Sequence, residues 1–409
     1  MNNYNYIDLF AGAGGLSEGF VRQDFSPIAH VECDVAACNT LKTRASFYYL
    51  QKQNNIAKYY SYLRGEITRD RLYSLIPENI LNSVINSKIG IDNENIFEMI
   101  DDSLEGKPVD LIIGGPPCQA YSVIGRPVLK HKTHDERTTF YIQYGRFLKK
   151  YKPKLFVFEN VPGIITAGNG KYYKNLKKYY KWLGYEVVAR ILNAYDYGVI
   201  QKRERVIIIG WQKDLAFSYP VVDPWQIRHT RDDIFLDLPS IKPGENRKYA
   251  FYSQPINDYL KATKIRNGVD FVTQHITRPH NEKDLEIYKL AIGKMINNER
   301  LKNNEIPEKM RTQRNMTDFL DRFKVVDVKP HTMIAHIAKD GHHFIHPDIS
   351  QLRSISVREA ARIQSFPDDY YFEGTDERPS RTDAFKQIGN AVPPLLAEKI
   401  AEAIKGRLA

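Results

Sequence analysis

The chain has 409 residues, 42% hydrophobic and 26% charged, with a formal net charge of +10 and a pI of about 9.1. That composition belongs to a globular chain of two or three domains, and no apolar run approaches the roughly 18 residues a membrane span needs. Its three cysteines, Cys33, Cys38 and Cys118, form neither a disulfide framework nor a metal-ligand pattern, and the positive excess points to a polyanionic partner.

The polar, uncharged start Met1-Asn2-Asn3-Tyr4-Asn5 reads straight into a strand and not as a signal peptide. Tyr6–Phe10 is that strand. Ala11-Gly12-Ala13-Gly14-Gly15 is a tight turn, and Leu16–Phe20 opens a helix. Such a turn brings backbone N–H groups close to a ligand and points a helix N-terminus at an anion. The glycine spacing is not the dinucleotide fingerprint and no P-loop lysine follows, so a small carboxylate fits better than a pyrophosphate. Pro27–Glu32 is a second strand whose terminal acid can accept from ribose hydroxyls. Adenosine plus a carboxylate suggests S-adenosylmethionine.

Residues 36–50 read as a helix. From about 51 to 90 an Asn-, Lys- and Tyr-rich insertion is expected, with one or two helices around Arg69–Ile85. Val109–Ile113 is a buried strand stopped by Gly114-Gly115-Pro116-Pro117, which leaves Cys118 at the carboxyl edge of a sheet. Cys118 reads either as a nucleophile or as a small buried hydrophobe. Ala120–Thr138 is long enough for a mobile lid.

Thr139–Tyr151 is a helix. Lys154–Phe158 is a strand ending at Glu159-Asn160-Val161-Pro162-Gly163, a second acid at the edge that carries Cys118. Asn169–Leu183 is an amphipathic helix. Glu186–Leu192 and Arg205–Trp211 are expected to form an antiparallel pair, and alternation places Arg203 and Arg205 on one face. After Trp211 the α/β rhythm stops. Residues 240–345 hold 19 Lys/Arg against 13 Asp/Glu and six of the eleven histidines. His275, His280, His331, His336, His342, His343 and His346 lack a clear ligand spacing, and no metal is expected. Val357–Gln364 is a helix, Arg381 starts another, Gly389–Pro394 is a turn, and Leu395–Leu408 is the last helix.

The order and spacing of these motifs resemble the DNA cytosine-C5 methyltransferases of bacterial restriction–modification systems. Asp8–Gly15 is similar to that family's cofactor turn and Glu32 to its ribose-binding acid. Pro116-Pro117-Cys118-Gln119 looks like its nucleophile motif, and Glu159-Asn160-Val161 like its catalytic acid motif. Gln201-Lys202-Arg203-Glu204-Arg205 matches its Q-x-R-x-R strand, Arg358–Pro367 the motif beside its recognition domain, and Gly389–Pro393 its closing cofactor motif. The likeness covers roughly 1–44, 90–212 and 352–409. There are departures: Cys33 stands where the family often has a larger apolar residue against adenine, Asn95-Ile96 is the best match to its adenine-binding acid, and Ile200 stands where proline is frequent.

The resemblance implies a Rossmann-like α/β methyltransferase sheet with a second, smaller and irregular target-recognition domain. The catalytic domain would span 1–212 and be completed by 385–409. Residues 213–384 would form the recognition domain, with a hinge motif at 354–369. Cys118, Glu159, Arg203 and Arg205 would be catalytic. Phe10, Gly12, Ala13, Gly14, Gly15, Glu32, Cys33, Asn95, Ile96, Pro116, Asn390 and Val392 would hold S-adenosylmethionine, and Gln119, Ser122 and Arg126 would touch DNA. The implied partner is double-stranded DNA, with a cognate endonuclease acting at the same site, no membrane, a monomeric state and a cytoplasmic location. The rival readings are a tRNA-methylating relative, a non-catalytic DNA-binding module, and a dehydrogenase disfavoured by the glycine spacing.

Overall fold

The computed structural model describes residues 4–117, 139–225, 227, 229–311 and 322–408. In chain order, β1 is Asn5–Leu9, α1 Gly15–Val21, β2 Ser26–Glu32 and α2 Val35–Lys52. Three short helices follow, α3 Ala57–Leu63, α4 Arg69–Tyr73 and α5 Glu78–Asn82, then β3 Val84–Asn86, α6 Asn93–Leu104 and β4 Leu111–Gly114. Next come α7 Phe140–Tyr151, β5 Leu155–Asn160, α8 Gly163–Thr166, α9 Lys171–Trp182, β6 Tyr185–Asn193 and β7 Glu204–Gln212.

Seven strands form one sheet in the order β3-β2-β1-β4-β5-β7-β6. The pairs β3-β2, β2-β1, β1-β4 and β4-β5 are parallel, whereas β7 runs antiparallel to both β5 and β6. The expected antiparallel pair is therefore present. Parallel strands covered on both faces are apolar throughout, and β4 and β5 are buried along their whole length. The order reverses between β1 and β4, so ligands are expected at the carboxyl edge there.

The one or two helices expected around Arg69–Ile85 are present as α4 and α5. Pro77 separates them, because a proline disfavours helical geometry in the residue before it. The insertion expected over 51–90 ends sooner, since β3 pairs with β2 in the main sheet. A three-residue strand inside a polar stretch leaves little periodicity to read.

Beyond β7 lie α10 Asp232–Phe235, β8 Tyr249–Phe251, α11 Asp258–Ala262, β9 Phe271–Thr273 and α12 Glu282–Ile296. After them come α13 Val357–Ile363, α14 Arg381–Asn390 and α15 Pro394–Leu408. The strands β8 and β9 form a separate antiparallel ribbon. The boundary expected between 384 and 385 falls inside α14. That helix packs Ala384, Phe385 and Ile388 into one apolar cluster with Ile234, Tyr259, Met333 and Phe344. In contrast, α15 joins the sheet: Leu396, Ile400 and Ile404 pack with Tyr6, Phe20, Ile113 and Ile207. It lies so close to α1 that a Cβ on Gly19 would sit 2.3 Å from the Glu398 amide.

The region after 213 is pinned by buried arginines. Ser356 and Glu359 form a capping box that starts α13. From that helix Arg358 donates to the carbonyls of Thr273, Pro367 and Tyr370. Arg362 is fully buried between Asp237 and Asp368, at 2.5 and 2.6 Å. The inserted helices brace this region against α2: Tyr59, Leu63 and Leu72 pack with Phe47, Leu50 and Phe271. The Tyr59 hydroxyl donates to the Asp369 carbonyl at 2.7 Å.

Candidate active site

The Gly-rich turn follows β1. Phe10, Gly12 and Gly14 all take positive φ, at 56°, 54° and 78°. The two glycines adopt this region without a Cβ penalty. Phe10, which does pay it, packs its ring edge-on against Phe140 at 5.3 Å. The turn is held from behind by the Tyr370 hydroxyl, which donates to the Ala13 carbonyl at 2.5 Å. A Cβ on Gly15 would sit 2.2 Å from the Val392 carbonyl, so Gly15 and the turn after α14 are in direct contact. A Cβ on Gly12 would meet nothing within 4 Å, so the turn faces open space on that side.

Glu32 ends β2 beside this turn. Its Oε2 accepts from the Gly12 amide at 2.8 Å, and its Oε1 accepts from the Cys33 and Asp34 amides, each at 2.8 Å. A carboxylate has about four acceptor sites, so capacity remains for a ligand hydroxyl. Cys33 is exposed next to it. Partial burial and the Glu32 charge push its thiol above the ordinary range. Cys38 is buried behind, its thiol pushed up to about 12 by burial.

Asn95 and Ile96 lie in the first turn of α6, where Asn95 faces solvent and Ile96 is fully buried in the core. The residue in register with Glu32 is Asn86, at the end of β3. Its side chain donates to the Glu32 carbonyl at 3.2 Å, which leaves its own oxygen as an acceptor. Asn86 was hidden because the strand carrying it was hidden.

Across the switch in strand order, β4 leads into Gly115, Pro116 and Pro117. The Asn160 side chain, at the end of β5, donates to the Pro116 carbonyl at 3.0 Å. Beside it Glu159 is 8% exposed, and its Oε1 is 2.8 Å from Arg205 Nε. A Cβ on Gly115 would come within 2.7 Å of Glu159 Oε2, so the glycine leaves room for the acid. Burial raises the Glu159 carboxyl above the ordinary range, against the opposing pull of Arg205 and Arg203. Arg205 also donates through Nη1 to the Glu204 carbonyl at 2.8 Å.

Arg203 immediately precedes β7, which begins at Glu204, and the Ala194 amide still donates to its carbonyl at 2.8 Å. Arg203 is fully buried and donates to the carbonyls of Met333, Gly389 and Ala391 at 2.6, 3.3 and 2.8 Å. It ties these segments together, and its charge also acts on the Glu159 carboxyl. Gln201 joins the same tie: it accepts from the Met333 amide at 2.8 Å and donates to Ile363 and Gln364. Val392 is buried against the turn, while Asn390 is the exposed last residue of α14.

Cys118, Gln119, Ser122, Arg126 and the expected lid Ala120–Thr138 lie outside the described residues. Among the described residues, no group of three His, Cys, Asp or Glu could hold a metal ion. The histidines after 270 are held by protein partners: His275 by Ser356 and Pro239, His280 by Ser354, His342 by Tyr288. A cavity of about 1210 Å³ is lined by Asn5 and Ser26 at the strand starts and by Arg44, Tyr48, Gly14 and Tyr370, so it reaches the back of the Gly-rich turn. A smaller pocket of about 460 Å³ is lined by Lys202, Arg300, Lys329, His331 and Thr332.

The model of the C-5 cytosine-specific DNA methylase family matches residues 4–68 and 78–406. The chain belongs to that family. It is therefore a DNA cytosine-5 methyltransferase, and membership implies S-adenosylmethionine as methyl donor. The unmatched stretch, 69–77, contains α4. Among curated relatives, the chain is 42% identical to the type II methyltransferase M.Bpa9945I of Bacillus paralicheniformis, over 98% of each chain. It is 32% identical to the type II methyltransferase M.DdeI of Desulfomicrobium norvegicum, over 98% of this chain and 88% of that one. Among solved structures, a prophage-encoded E. coli protein described as a DNA modification methyltransferase superposes with a TM-score of 0.67. That superposition covers 99% of each chain at 24% identity, and it supports the methyltransferase fold.

The turn and Glu32 suit an amino-acid carboxylate and a ribose. Open space before Gly12, spare acceptor capacity on Glu32 and the free oxygen of Asn86 match the donors and acceptors of S-adenosylmethionine.

Proposed function

We propose that the protein methylates carbon 5 of one cytosine within a specific double-stranded DNA sequence. It would do so by a covalent route on an extruded base, as the protecting half of a type II restriction–modification pair. The observation that carries this reading is the buried Glu159–Arg205 pair, standing where Asn160 grips the chain leading into Cys118. The full-length likeness to two type II methyltransferases supports the modification role.

Cytosine C5 is a poor nucleophile. Addition of the Cys118 thiolate to C6 gives the ring enamine character and carbanion density at C5. A free thiol of pKa about 8.5 is a few per cent ionised at neutral pH. S-adenosylmethionine, when bound, supplies an electrophilic methyl group; the turn at Phe10–Gly15, Glu32, Asn86 and Val392 would hold it. Glu159 holds a proton against N3 and accepts from the exocyclic amine. Burial keeps that proton on the carboxyl to a higher pH than usual. Arg205 donates to O2; among the described residues its Nη2 has no acceptor. These contacts strengthen as negative charge enters the ring, so they favour the transition state over the ground state. Together they reject thymine, which presents a donor at N3 and a carbonyl at C4. Loss of the C5 proton then expels the thiol. A stacked base cannot offer C6 to a thiol, so it must be flipped out at a cost of a few kcal/mol.

The test is transfer of labelled methyl groups to duplex DNA and to tRNA, with Cys118→Ala as control and bisulfite sequencing to map the target. Label on one cytosine context of duplex DNA, absent with Cys118→Ala, is expected. Label on tRNA alone overturns the DNA reading.

A further inference from the structure

Arg203 bridges two segments that serve different ligands under the reading above. Two of its three carbonyl acceptors, Gly389 and Ala391, belong to the turn whose next residue, Val392, presses its carbonyl against Gly15 of the cofactor turn. The third acceptor, Met333, belongs to a segment of the irregular basic region. That segment runs alongside residues 201–203. The Lys202 amide donates to the Pro330 carbonyl at 3.1 Å, the Thr332 hydroxyl donates to the Lys202 carbonyl at 2.6 Å, and the Met333 amide donates to Gln201. Thr332 and Lys202 also line the 460 Å³ pocket with Arg300, Lys329 and His331. Among the described residues, Lys202 and Arg300 form no ion pair, and Lys329 only sits over the Tyr195 ring at 4.6 Å. Asp327 also lines the pocket, but the three cations outweigh that single acid, so the lining suits a phosphodiester.

No slack separates the two segments. A Cβ on Gly389 would lie 2.3 Å from the Ala335 amide, so the turn and the 330–335 segment are also in direct backbone contact. Gln364 completes the joint. It accepts from Gln201 at 2.5 Å and donates to the Ile388 carbonyl at 2.7 Å. Closely packed joints shift between discrete arrangements and do not deform smoothly.

We infer that Arg203 is a positioning residue that couples cofactor binding to DNA binding. It fixes the cofactor-closing turn and the segment beside the cation-lined pocket to one guanidinium, so that ordering either side orders the other. A planar fork with five donors on three nitrogens reaches Met333 from one nitrogen and Gly389 and Ala391 from another, whereas an ammonium has its three donors at a single point. The inference rests on the reading of the two sites given above.

The test measures binding of S-adenosylhomocysteine with and without a duplex carrying the methylation site mapped by bisulfite sequencing. Wild type, Arg203→Lys and Gln201→Met are compared, each with its thermal midpoint. In the wild type the duplex should tighten S-adenosylhomocysteine at least fivefold, and by linkage the reverse should hold by the same factor. In Arg203→Lys the coupling should fall below twofold while affinity for S-adenosylhomocysteine alone stays within threefold. Gln201→Met should lose part of the coupling, and it decides the matter if Arg203→Lys does not fold. Folded variants that keep the full wild-type coupling overturn the inference. A wild type that binds both probes independently sinks the coupling and leaves the two sites standing. A wild type that binds neither probe sinks the sites and the coupling together.

Discussion

The central strands bury apolar side chains, among them Ile7, Leu9, Ile112, Phe156 and Ile208, and place Glu32 and Glu159 at their ends. Between 353 and 369 the fully buried side chains include Arg353, Arg358 and Arg362, each bound to carboxylates or carbonyls. The sheet gains its order from repeated hydrogen bonds and apolar burial, so it can spare a few strand ends for chemistry. The region after 213 has little regular structure to repeat. A few buried ionic anchors specify its conformation, and each anchor is a single point of failure. Buried ion pairs add little net stability over apolar packing, but leaving one partner unpaired is costly.

That contrast can be broken most strongly at Arg362. Arg362→Ala removes the cation shared by Asp237 and Asp368, leaving them Arg266, Tyr252 and the more distant Arg358, and should destabilise the protein by about 3 kcal/mol in chemical denaturation. A loss below about 1 kcal/mol would mean that the anchors do not specify this region.

Glu159→Gln probes the opposite behaviour. The raised carboxyl makes the folded state prefer the neutral form, so this acid's contribution to stability falls as pH rises from the ordinary carboxylate range through the raised value. Methyl transfer should drop by about 100-fold or more, while the thermal midpoint at neutral pH stays level or rises. A midpoint that falls along with activity would show that the acid is structural.

Acid sensitivity should come from the second region. Burial lowers His275 and His346 to about 4. Their folded forms bind protons less readily than the unfolded chain, whose histidines titrate near about 6.5. Stability is therefore intact above about 6.5 and lost as pH falls toward 4. His275 accepts from Ser356 and donates to the Pro239 carbonyl. Thermal midpoints followed across that window should fall less steeply for His275→Gln than for wild type; parallel curves would remove His275 from the account.

The smallest effect is expected at the inserted α4. Arg69 donates to the carbonyls of Gly374 and Asp376 at 3.2 and 3.0 Å. Arg69→Ala should cost about 1 kcal/mol and leave the maximum methylation rate within twofold. A larger loss of rate than of stability would give the insertion a direct part in turnover.

The same contrast decides what was legible beforehand. Continuous apolar runs and abrupt glycine–proline stops expose β4, β5 and the edge carrying Glu159, and the turn at Gly12–Gly15 is plain from its glycines. The ties from Arg203 to Met333 and Ala391 span 130 and 188 residues, which no local period can reveal. Asn86 carries no sequence signal because β3 is three residues long, whereas Asn95 stands on the exposed side of the amphipathic α6. The helix at 357–364 was visible, but nothing in its sequence told that its arginines point inward.

The central claim is that a cytosine ring held by Glu159 and Arg205 becomes bonded to Cys118. Duplex DNA carrying 5-fluorocytosine at the mapped target, incubated with enzyme and S-adenosylmethionine, tests it directly, because fluorine cannot leave as a proton does. The account predicts an adduct that survives denaturation and maps by peptide mass spectrometry to Cys118, at a yield cut sharply by Glu159→Gln. Only reversible complexes, or an adduct on another residue, would contradict it.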